Sequence, residues 1–243
     1  MKKRNVALYL FFAISALLFT SCIGDVFGVS GKGDSVVEGR TVTAFHSIEL
    51  QTSANVSIVR DTLYKVEVED YSNIVKYTVA KVSSQNLVIS IFPSSTVLLN
   101  SAAKVRITMP DSLKTLIVSG SGKIDVDTTF KDIEVITVTG SGNVSINRPV
   151  NLTKLSTTIK GKGTVSATGK VAALTAVTSG SGNTNLSQLV STASSCTLSG
   201  SGNMYINATT SLKAFISGSG SVYYSGNPAV SDSITGSGSV VKQ

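Results

Sequence analysis

The chain has 243 residues, of which 42% are hydrophobic, and 21 Lys/Arg against 14 Asp/Glu give it a formal net charge of +7. This length is enough for a substantial core, and the scattered placement of the basic residues argues against a nucleic-acid-binding protein. A single histidine and two cysteines are too few for a typical nitrogen/sulfur metal site, and no triad motif accompanies the histidine. The composition therefore favours a non-enzymatic protein without a cofactor or a bound metal.

The N-terminus is typical of a bacterial lipoprotein signal peptide. Basic residues at 2–4 precede a mostly apolar run over 6–19, which closes on small residues just before Cys22. The run is shorter than the roughly 20 apolar residues of a membrane span, although an uncleaved anchor helix is the alternative. We therefore predict a signal peptide over 1–21 and a lipidated Cys22. The lipid would hold the protein at the outer membrane, at the cell surface or on the periplasmic face.

The next two segments predict a linker and an irregular beginning of the fold. Residues 22–40 are rich in Gly, Ser and charge, which predicts a flexible tether. Residues 41–112 predict a degenerate first coil, in which Thr52 and Ala54 stand where glycines would be, followed by a strand-rich insertion or cap. The strands expected in the insertion cover 64–69, 86–92 and 104–109.

Residues 113–243 repeat a Gly-x-Gly corner about every 20 residues, a period typical of a strand-built solenoid. The corner glycines are Gly120, Gly122, Gly140, Gly142, Gly161, Gly163, Gly180, Gly182, Gly200, Gly202, Gly218, Gly220, Gly236 and Gly238. Each coil consists of a strand, the corner, a second strand and a variable return loop. We expect glycine at the corner because it accepts a positive φ and lets stacked backbones approach closely. The repeat predicts an all-β parallel β-helix.

Side chains alternate around every corner, as in strands with one buried face. The positions two and four before the first glycine, and four and six after it, are mostly apolar and are expected to point inward. Val144 and Cys196 occupy such inward columns, and Cys196 is therefore expected to be buried filler. Asn143 belongs to an intervening polar column, in which Asn, Ser and Thr side chains can form hydrogen-bonded ladders.

Two pairs of outward side chains are candidates for function. Tyr205 and Tyr223 occupy the same column on neighbouring coils and could form a stacked ligand platform, with simple cross-strand packing as the alternative. Asp125 and Asp127 share an outward face beside Lys123, which suits a weak calcium site or merely a solvated charged surface. The single histidine, His46, is expected to have a structural or surface role.

Five Asp-Ser or Asp-Thr pairs precede an aliphatic residue or threonine. This triplet resembles the O-glycosylation acceptor of exported Bacteroidetes proteins, whereas ordinary turn chemistry is the alternative. The predicted acceptors are Ser35, Thr62, Ser112, Thr128 and Ser233.

Three motifs together resemble one known family. They are the run Ala44–Ile48, the repeated Gly-Ser-Gly-Asn-x-x-Ile-Asn at 140–147 and 200–207, and the ending over 224–238. They are similar to the DUF2807 family of autotransporter-adhesin-type head (GIN) domains, over roughly residues 40 to 240. The resemblance implies a right-handed parallel β-helix of a kind common in Bacteroidetes lipoproteins, without the catalytic residues of pectin-lyase-like folds. The corner Gly161-Lys162-Gly163 departs from the family pattern, so its ladder is expected to be interrupted.

The sequence leads to two functional hypotheses. The first is a non-enzymatic cell-envelope lipoprotein, an adhesin-like binding or structural module whose partners are the membrane, through its lipid anchor, and a glycan or an envelope or host protein. The alternative is a glycan-active lyase or hydrolase that uses Asp125 and Asp127.

Overall fold

The computed structural model describes residues 28–243, so the predicted signal peptide over 1–21 and the lipidation site at Cys22 lie outside the described residues. The described part forms nineteen strands and one short 3₁₀ helix at Val75–Tyr77. The strands are β1 (Val29–Ser30), β2 (Ser35–Arg40), β3 (Ser47–Leu50), β4 (Asn55–Arg60), β5 (Lys65–Tyr71), β6 (Thr78–Ser83), β7 (Asn86–Ile91), β8 (Leu98–Leu99), β9 (Lys104–Met109), β10 (Thr115–Val118), β11 (Lys123–Val126), β12 (Val135–Val138), β13 (Asn143–Ile159), β14 (Thr164–Thr178), β15 (Asn183–Leu198), β16 (Met204–Ile216), β17 (Val222–Ser225), β18 (Ala229–Ile234) and β19 (Val240–Lys242).

Parallel strands from successive coils stack into two long faces, which confirms the predicted β-solenoid with coils of about 20 residues. The pre-corner face contains the strands before each corner: β7, β3, β10, β12, the C-terminal parts of β13 to β16, and β18. The post-corner face contains the strands after it: β9, β4, β11, the N-terminal parts of β13 to β16, and then β17 and β19. We call one coil a rung.

The predicted inward columns form the core. Ile48, Leu116 and Ile136 are register partners on consecutive rungs, and all three are fully buried. The same is true of Ile124, Val144 and Val165 on the post-corner face. Among the described rungs, the last one departs most from this pattern, and in the rung before it the inward Tyr224 is only half-buried. The inward positions of the last rung include Asp232 and Lys242, which are exposed, and Ile234, which is 39% exposed.

The corner glycines are required for close stacking and not for a left-handed backbone. No corner glycine has a positive φ, so the expectation of φ > 0 at these positions was wrong. A Cβ added at Gly140 would instead lie within 3.0 Å of the Gly120 carbonyl in the neighbouring rung, which real Cβ atoms essentially never do. The backbone ladder also continues through the departing corner at 161–163, where Lys162 N–H donates to the Gly140 carbonyl at 3.1 Å.

The return segments are more ordered than the predicted variable loops. In β13 to β16 the strand continues through the return, and Leu152 pairs in register with Val171 of the next rung. Val150, Leu152 and Leu155 are buried, as are Val171 and Leu174. The return therefore forms a third wall of the core. Because its register shifts by one or more residues between rungs, alignment on the glycines does not reveal its apolar columns.

The N-terminal end has its own architecture. Strands β7 and β9 form a further rung beneath β3 and β4, although they follow them in the chain. This rung is extended by antiparallel strands, with β6 beside β7, and β5 and then β2 beside β9. The assignment of 22–40 to a flexible tether was therefore wrong for 29–31, which pairs with β8, and for 35–40, which pairs along its whole length with β5. Val36 packs against the core, and this single apolar contact was concealed by the surrounding Gly, Ser and charge.

Candidate functional site

Two tyrosines stack on the outside of the post-corner face. Tyr205 of β16 and Tyr223 of β17 are register partners on adjacent parallel strands. Their ring centroids lie 5.1 Å apart with an interplanar angle of 12°, and both side chains are half-buried. The structure thus brings together the two residues that the sequence paired. Rings this close and nearly parallel cover each other's facing sides, so a ligand would contact their edges and outer faces.

A polar groove lies in the adjoining rungs of the same face. It has a volume of about 310 Å³. Its polar lining consists of Asn147, Ser166, Thr168, Asn185, Ser187 and Gln188. Asn185 is the register partner of Tyr205, so the groove and the stacked tyrosines form one continuous surface. The sequence analysis missed this groove. Extending the column alignment five and seven residues beyond each first glycine places its residues on one outward face, but does not show that they line a groove.

Asparagine side chains along the same face are held by the rung above them. The side-chain oxygens of Asn143, Asn183 and Asn203 accept the backbone N–H groups of Thr164, Asn203 and Ser221 at 2.8, 2.8 and 3.0 Å. The predicted ladder therefore exists, but it runs from side chain to backbone. The ladder is interrupted at Thr164, whose side chain does not accept a backbone N–H group from the next rung. The NH₂ group of each of these asparagine amides is a further hydrogen-bond donor.

This surface carries no charge over most of its length. We define the tyrosine face as the outward side chains of the post-corner strands from Asn143 to Val241. Every one of them is Asn, Ser, Thr, Tyr or Val. The net positive charge of the chain consequently lies elsewhere, for example at Lys160 and Lys213, which are exposed. The arrangement can donate and accept hydrogen bonds and stack on a ring, but it offers nothing to attract an anionic ligand.

Asp125 and Asp127 lie close together at the end of the tyrosine face, where one side-chain amide and one ammonium group bind their carboxylates. Asn147 Nδ2 donates to Asp127 at 2.8 Å and to Asp125 at 3.3 Å, and Lys123 Nζ lies 2.9 Å from Asp125. No cluster of three or more metal-ligating side chains occurs in residues 28–243. These contacts give both carboxylates a structural role between two rungs.

A second groove lies on the post-corner face near the antiparallel cap. It has a volume of about 460 Å³ and contains charges of both signs, including Glu67, Glu69, Lys104 and Arg106. Lys104 Nζ lies 3.0 Å from Glu69, and this hydrogen bond and the lysine charge lower the pKa of the Glu69 carboxyl. Lys104 and Glu69 pair across β9 and β5, whereas Glu67 pairs with Lys65 of its own strand. The groove is therefore charged, and it is less suited to a neutral ligand than the uncharged one.

His46 is part of the packing between the first rungs. Its Nδ1 lies 3.3 Å from Ser47 Oγ, and its backbone carbonyl accepts Lys114 N–H at 2.8 Å. A small cavity of about 180 Å³ separates it from Tyr64 and Ser112. These contacts hold His46 between the first rungs, and its structural or surface role stays a prediction.

Cys196 is buried in the pre-corner face, and we expect it to be unreactive in the folded protein. It is 1% exposed, and burial raises the pKa of its thiol to about 12. The reactive thiolate is therefore almost absent at neutral and mildly alkaline pH. Iodoacetamide at pH 8 should leave Cys196 unmodified in native protein and modify it fully in guanidinium chloride, as read by mass spectrometry. Rapid modification of the native protein would contradict this assignment.

The predicted O-glycosylation sites differ in accessibility. Ser35, Thr62 and Ser233 are exposed. Ser112 is half-buried with its Oγ 3.2 Å from the Tyr64 hydroxyl, and half-buried Thr128 accepts Arg60 N–H at 3.3 Å. Glycosylation at all five remains a prediction, and the partial burial of Ser112 and Thr128 makes them poorer acceptors than the other three.

Comparison with known proteins agrees with this fold. Residues 44–228 match the family described as "Putative auto-transporter adhesin, head GIN domain", DUF2807, which confirms the resemblance inferred from the sequence motifs. No curated protein matches the sequence.

Crystal structures of bacterial proteins are also similar. One described as a putative adhesin from Bacteroides fragilis has 25% identity and a TM-score of 0.81, covering 89% of this chain and 100% of that one. One described as a putative lipid binding protein from Parabacteroides distasonis has 24% identity and a TM-score of 0.74, covering 88% and 99%. A putative adhesin from the same species has 21% identity and a TM-score of 0.69, with the same coverage.

Proposed function

The chain belongs to the DUF2807 family of head GIN domains, and from that premise we propose that it is a non-enzymatic cell-envelope lipoprotein whose tyrosine face binds an uncharged glycan. The observation that carries this proposal is the stacked pair Tyr205 and Tyr223 beside the polar groove at Asn185. The adhesin descriptions of the family and of its structural relatives support a binding role at the cell envelope.

The chemistry of the tyrosine face favours a sugar over other ligands. Sugar rings present an apolar C–H face that packs on aromatic rings, and hydroxyl groups that exchange hydrogen bonds with amides and hydroxyls. Rung stacking repeats these groups about every 4.8 Å along the rod. A glycan chain lying along the rod would therefore meet similar donors at successive rungs. An anionic polymer would gain nothing from this uncharged surface.

The proposed location depends on the N-terminal segment. Basic residues at 2–4, the apolar run at 6–19 and Cys22 together support an exported protein with a lipid on Cys22. Within residues 28–243, no helix has the length and apolarity required to cross a bilayer. Acyl chains on Cys22 would supply the membrane attachment, since each buried methylene contributes about 0.8 kcal/mol.

Removing one ring of the platform should weaken glycan binding. Tyr205→Ala is expected to reduce affinity for the glycan selected from an array of neutral glycans by up to about tenfold, because a lost aromatic contact costs about 0.5–1.5 kcal/mol. Isothermal titration calorimetry would measure the change. The matched control is Phe215→Ala, which removes a 63% exposed ring from the pre-corner face of the rung that contains Tyr223.

Two results would count against the proposal. If the wild-type protein binds no glycan on the array, the proposed ligand class is wrong. Equal loss of affinity in Tyr205→Ala and Phe215→Ala would place binding away from the tyrosine face.

A further inference from the structure

Three large apolar side chains in one short segment of the N-terminal cap are exposed. They belong to the segment that joins β7 to β9, which we call the cap loop (residues 92–100). Phe92 is 67% exposed, Val97 57% and Leu99 39%. Exposed apolar clusters on soluble proteins commonly mark interaction sites, whereas single exposed residues need no explanation.

The described chain begins directly beside these side chains. Val29 N–H donates to the Val97 carbonyl at 2.8 Å, and Gly31 N–H donates to the Leu99 carbonyl at 2.8 Å, which makes β1 the parallel partner of β8. Gly28 approaches Val97 so closely that an added Cβ would collide with its carbonyl oxygen. The point at which the chain enters the fold and the cap loop are thus one structural unit.

Buried and bridging polar groups hold this unit to the body of the cap. The carboxylate of Asp70, 2% exposed, accepts Ser101 Oγ at 2.7 Å and Ala102 N–H at 3.1 Å. Asn73 accepts Lys32 N–H at 2.7 Å and donates to the Ser30 carbonyl at 2.8 Å. The exposure of the apolar side chains is consequently fixed by the fold.

Chain length limits how far this unit can lie from a lipid on Cys22. Five residues lie between Cys22 and Gly28, so six Cα-to-Cα steps join them, and a fully extended chain spans at most about 3.3–3.6 Å per step. The entry point therefore lies within about 20 Å of the acylated cysteine. The opposite end of the rod is about eight rungs away, or roughly 40 Å at 4.8 Å per rung, and is out of reach.

We propose that the cap loop is a membrane-docking surface, with Phe92, Val97 and Leu99 inserted into the lipid interface of the bilayer that holds the anchor. This inference rests on the lipid attachment at Cys22 put forward above. Tyr77 lies beside the loop, since its carbonyl accepts Phe92 N–H at 2.9 Å, and Lys76 Nζ lies 5.3 Å from the centre of its ring. An aromatic side chain and a lysine next to an apolar cluster suit the headgroup region.

The consequence is an orientation of the whole rod. The acyl chains supply attachment, and the docked loop supplies a second contact that fixes the angle between rod and membrane. The cap faces the bilayer, while Tyr205 and Tyr223 lie six and seven rungs from the β7/β9 rung. The tyrosine face is thereby directed away from the lipid and remains accessible to a large glycan.

The absence of tryptophan in the chain allows a direct test. Full-length lipoprotein carrying Phe92→Trp is reconstituted into vesicles whose phospholipids are brominated near the top of the acyl chains. We expect its emission to be blue-shifted and strongly quenched relative to vesicles of unbrominated lipid. Val97→Trp should show the same blue shift and quenching. Agreement between the two variants would exclude a local disturbance of the fold by Phe92→Trp as the cause. The control is Phe215→Trp, an equally exposed position seven rungs from the β7/β9 rung, which should show neither effect.

The outcomes separate the inference from its premise. Intact mass of the same samples reports acylation of Cys22, and an unacylated protein would overturn the anchor and the docking together. Acylated protein in which Phe92→Trp and Val97→Trp both escape quenching would overturn the docking alone. A blue shift without bromine quenching, dependent on the protein-to-lipid ratio, would assign the cap loop to contact with a second copy and would likewise overturn it.

Discussion

Val144→Asp is expected to lower the free energy of unfolding by about 3–5 kcal/mol, the usual cost of leaving a buried charge uncompensated. Val144 is fully buried between Ile124 and Val165, its register partners in the rungs below and above. Neither neighbour offers a hydrogen bond or a positive charge. Thermal and urea unfolding monitored by circular dichroism would measure the loss.

The neighbouring position supplies the matched control for the same chemical group. Asn143→Asp places a carboxylate on the outward side of the same strand, where Asn143 is half-exposed and uses its side-chain oxygen to accept Thr164 N–H. A carboxylate oxygen can accept the same bond, so the expected loss is small. Equal losses in the two variants would mean that the inward and outward columns are wrongly assigned.

The destabilisation in Val144→Asp should also depend on pH in a defined direction. Burial favours the neutral carboxyl, so the folded-state pKa of the introduced group is raised above its unfolded value of about 3.9. The unfolded state then releases its proton first as the pH rises, and stability falls from that point upward. The difference from wild type should therefore be smallest near pH 4 and grow toward neutral pH. Asn143→Asp should lack this trend.

The repeated part of the fold could be predicted from sequence because one local rule is applied at every corner. Gly140 and Gly142 mark the turn, and Val138 and Val144 lie at fixed offsets on the inward side. Strand alternation then assigns every neighbouring residue to one face. The same rule identified Thr52 and Ala54 as corner residues, and the structure stacks Gly120 and Gly122 against their carbonyl oxygens.

The cap could not be predicted in the same way, because its pairing does not follow chain order. Strand β7 lies beside β3, and β9 lies beside β4, although β5 and β6 intervene in the sequence. Alternation locates such strands but contains no information about which strand each will pair with. The antiparallel partner β2 was missed because it has only one apolar side chain, Val36, packed against the core.

Only part of the candidate site could be predicted from the sequence. Tyr205 and Tyr223 are conspicuous because aromatic residues are rare in the outward columns, so their pairing followed from the repeat. Asn185 and Ser187 are ordinary residues of a solvated strand, and only their arrangement in three dimensions with Thr168 forms a groove. The cap loop is similarly invisible in sequence, since Phe92 and Val97 look like core residues until their exposure is known.

Gly202→Ala is expected to cost about 2–3 kcal/mol of stability, at the upper end of the usual range for overpacking. A Cβ at this position would meet the carbonyl of Gly182, with its carbon at 2.8 Å, and the carbonyl carbon of Ser181 at 3.0 Å. These are backbone atoms, and Gly182 itself donates to the Gly161 carbonyl at 3.1 Å. Relief of the clash would require separating two rungs and weakening the hydrogen bonds between them.

Gly39→Ala is the matched control, because an added Cβ at Gly39 would meet no atom within 4 Å and its φ is not positive. That variant should be neutral or slightly stabilising, since alanine restricts the unfolded chain. Urea unfolding would compare the two, and equal stabilities would show that close stacking does not explain the glycine columns. Gly202 also lies three residues before Tyr205, so a displaced rung would shift that ring relative to Tyr223. Gly202→Ala should therefore weaken glycan binding as well as folding, whereas Gly39→Ala should change neither.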